Sequence, residues 1–510
     1  MKTKTYFSLT PTVVAAALLA GLAGCAHDSG TVLEVTKGVV IQNVTVVDTR
    51  DGSLAPGMSI VIDGGKIAQI APAATIRVGG SAQAIDATGK FVVPGFLDMH
   101  THAMTAAGKQ PTHWPLLLAN GITGIREMAG SAELIQQARR LNADIAAGRI
   151  DAPEVLQLPG PLLLGVATPA QAVSQVQQQK ALGADFIKFI AGSRDATLAT
   201  LVEAKKQGLG VSGHLVPSVS ATEASQAGWR SIEHLGAGLG LPLDCATDGE
   251  NVRRAMLNGE GVKVPFTPLF ILNPIIFIAK DAPFYQRVVD SYSEDKCLAL
   301  AQVFAQNQTW QVPTLIRIRT MQISNDPAYR SDPNLIYVDK TTQALWQKLG
   351  RQFASDVPPS AAATFSQYYG LQAKLTLLFK RNGVKMMAGS DLGGGWVIPG
   401  FALHQEFRLL AEAGLSPLEV LQMTTLNGAE FLQRQATMGS VEAGKNADLV
   451  LLEANPIDSV ANFGKIAAVV LKGRYLPKAA LEKMKNDVAE SYKNQPLKDL
   501  SAVLDPNHRH

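Results

Sequence analysis

The order of apolar and polar segments divides the chain into a repeating central part and two β-rich ends. Near the N-terminus, residues 39–47 and 58–70 predict strands, with the Asp-Gly-Gly sequence at residues 63–65 as a hairpin turn. Near the C-terminus, residues 447–452 and 466–471 are short β-branched runs bounded by Gly and Pro. Both ends can therefore supply strands to one small β-sandwich.

From about residue 91 the chain repeats an apolar run, an amphipathic helical stretch and a glycine, which is typical of parallel βαβ units. Residues 185–190 predict a strand and residues 196–207 a helix. Gly208 can end that helix in the left-handed conformation, and residues 211–215 predict the next strand. We therefore predict an α/β fold with a central (β/α)8 TIM barrel.

The spacing becomes irregular between about residues 239 and 382. Residues 310–318 predict the seventh strand and residues 384–388 the eighth. The stretches that flank the seventh strand are longer than one crossover helix requires. We interpret them as insertions that shape the substrate mouth.

The length and composition suit one large domain with a smaller second domain in the same chain. The chain has 510 residues, of which 46% are hydrophobic and 17% charged, with 45 Gly and 27 Pro, as in soluble globular proteins with many tight connections. We divide it into a signal peptide (1–24), a linker (25–36), a β-sandwich (37–92 with 436–476), a barrel (93–435) and a C-terminal helical tail (477–510).

The charge argues against a nucleic-acid-binding protein, and the number of cysteines argues against a protein held together by a framework of disulfides. The net charge is only +3, and Lys and Arg are interspersed with acids, which argues against a nucleic-acid partner. Cys245 and Cys297 make no disulfide framework, and their spacing matches no metal motif.

The N-terminus predicts export. Two lysines precede the apolar residues 13–22, a run too short to cross a bilayer comfortably. Residues 22–25, Leu-Ala-Gly-Cys, resemble a bacterial lipobox, in which cleavage leaves a lipidated Cys25; an ordinary cleaved signal peptide is the alternative. Ala26 is not the Asp of an inner-membrane retention signal. We expect a lipid-anchored protein of the bacterial cell envelope, in the outer membrane facing the periplasm.

Four of the nine histidines stand at the ends of predicted strands: His100, His102, His214 and His234. The C-terminal ends of barrel strands converge on one mouth, and imidazole is a common ligand of divalent metals. His100 and His102 are two positions apart, so both rings project to the same side of an extended strand. One metal could receive both, although either His alone would more often be a buried core residue.

Four motifs, in the same order along the chain, resemble those of the amidohydrolase superfamily. They are residues 94–102 (Pro-Gly-Phe-Leu-Asp-Met-His-Thr-His), 231–234 (Ser-Ile-Glu-His), 388–391 (Ala-Gly-Ser-Asp) and 444–449 (Gly-Lys-Asn-Ala-Asp-Leu). The patterns at residues 121–126 and 413–417 are similar to those of the imidazolonepropionase-like and metal-dependent dipeptidase branch. The resemblance covers nearly the whole mature chain.

The resemblance implies a binuclear centre with two divalent metal ions, zinc above all. His100 and His102 would bind the more buried metal, and His214 and His234 the second. Asp391 would bind the first metal and accept a proton from the attacking water, because a carboxylate beside a metal-activated water can relay that proton. The alternative for Asp391 is a plain helix N-cap.

Lys188 matches the position at which binuclear members of the superfamily carry a carboxylated lysine that bridges both metals. An ammonium has no lone pair to give a metal, whereas a lysine deprotonated by burial can take up CO2 and become an anionic ligand, N6-carboxylysine. The alternatives are a snorkelling strand-end lysine and a single-metal site.

Three polar residues remain near the predicted mouth. Arg126 should emerge at the end of the second strand, where it could pair with a substrate carboxylate or make an ordinary loop salt bridge. His113 and His404 lie outside the ligand positions and are interpreted as peripheral in preference to substrate-facing.

We expect hydrolysis of an amide bond in a small-molecule substrate, a dipeptide or N-acyl amino acid, by a metal-activated hydroxide with Asp391 as the general base. A cyclic-amide, lactone or ester hydrolase on the same centre is the alternative enzyme. A non-catalytic ligand-binding lipoprotein is the alternative from another class, and the proton-relay residue argues against it. A Ser-His-Asp hydrolase is disfavoured because the chain has no Gly-x-Ser-x-Gly sequence. The sequence leaves a monomer and a homo-oligomer open.

Overall fold

A computed structural model describes residues 32–104, 113–263 and 267–500 of the chain. The predicted signal peptide (1–24) and Cys25 lie outside the described residues. Within the described part, parallel sheets, a larger mostly antiparallel sheet and many helices make a mixed α/β fold, which confirms the predicted class. In the same residues, no helix combines the length and the apolar character that a membrane span needs.

The bounds of the regular elements follow in chain order. The strands are β1 (Leu33–Val35), β2 (Val39–Val47), β3 (Leu54–Asp63), β4 (Lys66–Pro72), β5 (Ile76–Val78), β6 (Gln83–Asp86), β7 (Phe91–Pro94), β8 (Phe96–Thr101), β9 (Ile122–Glu127), β10 (Glu154–Gln157), β11 (Phe186–Phe189), β12 (Gly210–Gly213), β13 (Trp229–Glu233), β14 (Trp310–Val312), β15 (Leu449–Leu452), β16 (Ile466–Leu471) and β17 (Arg474–Pro477). The α-helices are α1 (Trp114–Ala119), α2 (Ala132–Ala146), α3 (Pro169–Leu182), α4 (Arg194–Lys206), α5 (Ala221–Gln226), α6 (Gly240–Asp244), α7 (Gly249–Leu257), α8 (Pro268–Leu272), α9 (Ala282–Asp290), α10 (Glu294–Asn307), α11 (Leu315–Gln322), α12 (Pro327–Arg330), α13 (Lys340–Asp356), α14 (Pro359–Arg381), α15 (Phe401–Glu412), α16 (Pro417–Met423), α17 (Leu426–Phe431) and α18 (Lys478–Lys493). Short 3-10 helices are Ala73–Thr75, His234–Gly236, Pro274–Ile276, Ala279–Asp281, Pro333–Tyr337 and Val460–Gly464.

Two parallel sheets form the centre of the fold, with strand orders β10-β9-β8 and β11-β12-β13-β14. Backbone hydrogen bonds connect the two sheets on one side, between the segment after β10 and strand β11. There the amide of Leu163 donates to the carbonyl of Lys188 at 3.0 Å, and Leu163 forms an isolated bridge with Phe189. Because neighbouring strands are parallel, the residues that follow each strand lie at one common edge.

The segment before Asp391 connects the two sheets on the other side. Its Met387 amide donates to Gln311 of β14 at 3.0 Å, and its Ala388 carbonyl accepts from the Met99 amide of β8 at 3.0 Å. Residues 384–388, predicted as the eighth strand, therefore run between β14 and β8, but they make an isolated bridge instead of a regular strand.

The predicted seventh strand at residues 310–318 is wrong in its second half. The strand β14 ends at Val312, and helix α11 begins at Leu315. Pro313 cannot donate to a sheet, and Thr314 has a φ of +46°, so the chain turns out of the sheet between them.

Strands from both ends of the chain meet in one sheet, with the order β17-β16-β15-β7-β2-β3-β4 and β6 beside β2. The chain reverses at Gly64 and Gly65, whose φ angles of +57° and +76° are readily adopted by glycine, where the hairpin was predicted. Within the segment predicted as a linker (25–36), strand β1 pairs with β5.

A disulfide joins Cys245 after α6 to Cys297 in α10, two residues for which no pairing was predicted. Both cysteines are fully buried. The bond closes a loop with a sequence separation of 52 residues, which contains α7, α8 and α9.

Replacing both cysteines with Ala should lower the free energy of unfolding by about 2–4 kcal/mol, because the crosslink restricts the unfolded chain. Urea unfolding followed by circular dichroism measures this change. The wild-type protein, unfolded in the presence of a reductant, should approach the midpoint of the variant. Equal midpoints for the oxidised wild type and the variant would argue against the bond.

Candidate metal centre

Two histidines at the end of β8 reach the same carboxylate oxygen. His100 is fully buried, and its Nε2 lies 3.4 Å from Asp391 Oδ1. His102 lies just beyond the strand with a side chain that is 37% exposed, and its Nε2 is 3.3 Å from the same oxygen. The spacing of two positions therefore directs both imidazoles to Asp391.

The backbone around Asp391 is shaped to bring its carboxylate to the histidines. Asp391 has a φ of +52°, an uncommon conformation for a non-glycine residue that is often found at functional sites, and its amide donates to the His100 carbonyl at 2.8 Å. A Cβ on Gly389 would lie 2.7 Å from His100 Cβ, so only glycine permits this approach. Burial would raise the pKa of Asp391, but its interaction with His100 holds it well below its usual range.

Hydrogen bonds orient the rings of His100 and His234. His100 Nδ1 donates to Glu233 Oε2 at 2.7 Å. His234 Nδ1 lies 2.6 Å from Thr314 Oγ1, whose own hydroxyl donates to the Pro313 carbonyl, so the imidazole is the donor. In both rings the proton on Nδ1 leaves a lone pair on Nε2, the form that binds metals.

His214 lies beside this cluster at the end of β12. Its ring centre is 5.1 Å from that of His234. Burial is the main cause that holds the pKa of both His214 and His234 well below the usual range, and Lys188 adds to it. Both imidazoles are therefore neutral and able to donate a lone pair.

Lys188 on β11 is a buried amine with 1% of its surface exposed. Within the described part of the chain, its Nζ has no hydrogen-bond partner. Burial is the main cause that lowers its pKa to about 8, and the negative charges of Glu233 and Asp391 oppose this shift. A neutral form of the amine is thus accessible near neutral pH.

These residues fit a divalent metal. Ligand atoms of His100, His234 and Asp391 lie within 4.8 Å of one another. His100 Nε2 is a buried nitrogen without a hydrogen-bond partner among the described residues, which is costly unless a further group binds it. Two imidazoles and a carboxylate are ligands that zinc accepts.

Sequence reasoning missed Glu233, which lies at the centre of a buried hydrogen-bond network. Its Oε1 accepts from Arg126 Nη2 at 2.9 Å and from Ser231 Oγ at 2.6 Å. Burial would raise its pKa, but Arg126 and His100 hold it well below the usual range. Glu233 is therefore an ionised acceptor that orients His100, and its place next to His234 in the motif was the only signal.

The predicted role of Arg126 in binding a substrate carboxylate is wrong in this structure. The side chain is fully buried, and its Nε donates to the Met99 carbonyl at 2.6 Å while its terminal nitrogens bind Ser231 and Glu233. Its guanidinium carbon lies 4.9 Å from the centre of the Phe431 ring. The side chain points into the protein and has no open face for a substrate.

Arg317 is a second residue that sequence reasoning missed, because it falls in the segment predicted as a strand. Its Nε donates to Asp391 Oδ2 at 3.2 Å, and its side chain is 6% exposed. A guanidinium at this distance favours the ionised form of the carboxylate.

His113 and His404 do not join the cluster. Their Nε2 atoms lie 2.9 Å from the backbone carbonyls of Ala103 and Asn120, respectively. Burial lowers the pKa of each to about 4, so both imidazoles are neutral.

Glu233→Gln should lower metal affinity and turnover by about 10- to 100-fold, because the amide cannot orient both His100 and Arg126 as the carboxylate does. Metal titration of the apo protein and steady-state rates measure the two effects. Glu203→Gln is a matched control, since Glu203 is a buried glutamate on α4 whose partners are Gln177, Gln207 and Lys206. Wild-type metal affinity in Glu233→Gln would contradict the orienting role.

The C-terminal part of the chain matches a known enzyme family. Residues 373–476 match the amidohydrolase family. The imidazolonepropionase of Symbiobacterium thermophilum is 22% identical over 443 residues, which cover 84% of this chain and 92% of that protein. The chain fits the amidohydrolase superfamily.

Further proteins match this chain in sequence or in fold. The adenine deaminase of Rubrobacter xylanophilus is 42% identical over 64 residues, which cover 12% of this chain. The chain spans only 11% to 37% of the length of this enzyme and two further adenine deaminases. A crystal structure of a Xaa-Pro dipeptidase with bound methionine has a TM-score of 0.57 and 18% identity, covering 86% of this chain and all of that one, and so shares the fold.

Proposed function

We propose that the chain is a metal-dependent hydrolase that cleaves an amide bond in a dipeptide or an N-acyl amino acid. The observation that carries this proposal is the convergence of His100, His234 and Asp391, whose ligand atoms lie within 4.8 Å of one another. The match to the amidohydrolase family and the fold shared with a dipeptidase support it.

The proposed architecture is a closed (β/α)8 barrel (93–435) with a β-sandwich from both chain ends (37–92 with 436–476). The backbone bonds that join the two parallel sheets, through Leu163 on one side and Met387 on the other, support the closure. A closed barrel would place the residues after β8, β11, β12 and β13 and the segment 384–391 at a single mouth.

The proposed centre binds two divalent metal ions, zinc above all. Its ligands would be His100, His102, His214, His234, Asp391 and Lys188 in its N6-carboxylated form. In the carboxylation, the neutral amine of Lys188 forms an N–C bond with CO2 and releases one proton. The buried Nζ, which has no hydrogen-bond partner among the residues that the structure describes, and its lowered pKa of about 8 support this step.

When bound, the metals lower the pKa of a water molecule and polarise the carbonyl of the amide. Asp391 accepts a proton from the attacking water and delivers it to the nitrogen of the leaving amine. A C–O bond forms as the C–N bond breaks, so the products are a carboxylic acid and an amine. Arg317 keeps the Asp391 carboxylate ionised and in place, 3.2 Å away.

Metal analysis combined with a substrate panel tests this function. The purified protein should contain close to two metals per chain and should hydrolyse dipeptides or N-acyl amino acids. Turnover only of a lactone, an ester, a cyclic amide or adenine would replace the proposed substrate. Bound metal without turnover would favour a ligand-binding lipoprotein, and full activity in a metal-free preparation would refute the metal-dependent mechanism.

We also propose that the protein is lipid-anchored through Cys25 and faces the periplasm. The buried disulfide between Cys245 and Cys297 supports an oxidising compartment, since such bonds are rare in the cytosol. Cys25→Ala should release the protein or leave it unprocessed. A variant that stays in the envelope at mature size would exclude the anchor.

A further inference from the structure

We propose that helix α8 (Pro268–Leu272) is the wall of the substrate pocket that receives an apolar side chain of the substrate. This inference rests on the proposed function, because it names part of the substrate of the same site. The helix belongs to the insertion that the disulfide closes.

The guanidinium of Arg317 forms hydrogen bonds with both helix α8 and the carboxylate of Asp391. Arg317 Nη1 donates to the Leu272 carbonyl at 3.0 Å, and Nη2 donates to the Ile271 carbonyl at 2.7 Å. The Nε of the same group donates to Asp391 Oδ2 at 3.2 Å. Because all three donors belong to one planar group, the end of α8 lies directly beside Asp391.

Two further contacts place α8 there. A Cβ on Gly394 would lie 2.7 Å from Cδ and Nε of Arg317, so the loop after Asp391 must be glycine where the guanidinium passes. The buried Asn273 at the end of α8 donates to the Met321 carbonyl at 3.2 Å and so anchors the helix to α11. Contacts with α11 and with the loop after Asp391 therefore fix the position of α8.

The surface of α8 is apolar and not fully covered. The helix has the sequence Pro-Leu-Phe-Ile-Leu, none of its residues is buried, and Ile271 is 50% exposed. Residues 267–278 contain no charged side chain. Leu269 and Leu272 pack partly against a buried apolar cluster, and this contact stabilises the helix. Apolar surface beside a catalytic group gains free energy when an apolar part of the substrate covers it.

The test compares the metal-loaded wild-type protein with Ile271→Ser on N-acetyl derivatives of Gly, Val, Leu and Phe. In the wild type, kcat/KM should rise with the apolar area of the side chain. Ile271→Ser should lower kcat/KM by about tenfold for the Leu and Phe substrates, mainly through KM, and by less for smaller side chains. Leu257→Ser is the matched control, because Leu257 at the end of α7 is 54% exposed, whereas the hydrogen bonds of Arg317 go to Ile271, Leu272 and Asp391.

Calorimetric binding of the free amino acids Gly, Val, Leu and Phe gives a readout without turnover. If no substrate is hydrolysed, the proposed function fails, while a loss of leucine and phenylalanine affinity in Ile271→Ser would still support the wall. An unchanged dependence on side-chain size in Ile271→Ser would overturn the inference. So would a variant that loses only self-association or binding to phospholipid vesicles, because α8 would then cover a second copy or a membrane.

Discussion

Asp391→Asn should lower kcat by about 10³-fold or more, because the amide can neither accept the proton of the attacking water nor deliver it to the leaving nitrogen. Asn retains the shape of the side chain, so the Arg317 contact and the fold should persist. The measurement is the steady-state rate on the most active amide of the panel, with metal content determined for the same sample.

Asp244→Asn is the matched control for this variant. Asp244 also pairs with an arginine, at 2.9 Å from Arg253, and its side chain is 14% exposed, compared with 12% for Asp391. Its loss should reduce stability and leave kcat near the wild-type value. If Asp391→Asn kept more than about a tenth of the wild-type kcat with its metal bound, a different group would have to be the general base.

The residues brought together at the centre were predictable where strand geometry alone decides their direction. His100 and His102 are two positions apart at a strand end, and the structure places both Nε2 atoms near Asp391 Oδ1. The residues that support this arrangement were not predictable, because Glu233 is separated from His100 by 133 positions. A side-chain hydrogen bond over such a distance leaves no periodic signal in the sequence.

For Arg126, the sequence predicted the position of the residue but not the direction of its side chain. Its position at the end of β9 was correct, but a strand position does not say whether a long side chain turns towards solvent or towards the interior. The Arg126 side chain turns towards the interior because the buried carboxylate of Glu233 needs a partner, and the guanidinium provides it at 2.9 Å. Likewise, the apolar run 310–318 satisfies both a strand and a helix, and only the turn at Thr314 separates them.

Lys188→Ala should lose metal and activity together, because only the carboxylated side chain would supply an anionic bridge. The amine is otherwise hard to explain, since its Nζ is buried without a hydrogen-bond partner in the described part of the chain. Formate or acetate should restore part of the turnover in this variant, as these ions replace the missing oxygens in the space that the side chain leaves. Metal content and rate, each with and without added acetate, measure the effect.

Lys188→Met separates the bridge from a packing role. Met is close to Lys in size and cannot take up CO2, so this variant should fold, bind little metal and respond poorly to acetate because its side chain fills the space. Lys472→Met is the matched control: Lys472 is a partly buried lysine whose Nζ binds Glu154 at 2.6 Å and Asp448 at 2.9 Å, away from the centre. That variant should keep its metal. Near-normal metal content and rate in Lys188→Met would make Lys188 a structural residue of β11 and leave a single-metal site of His100, His102 and Asp391 as the better description.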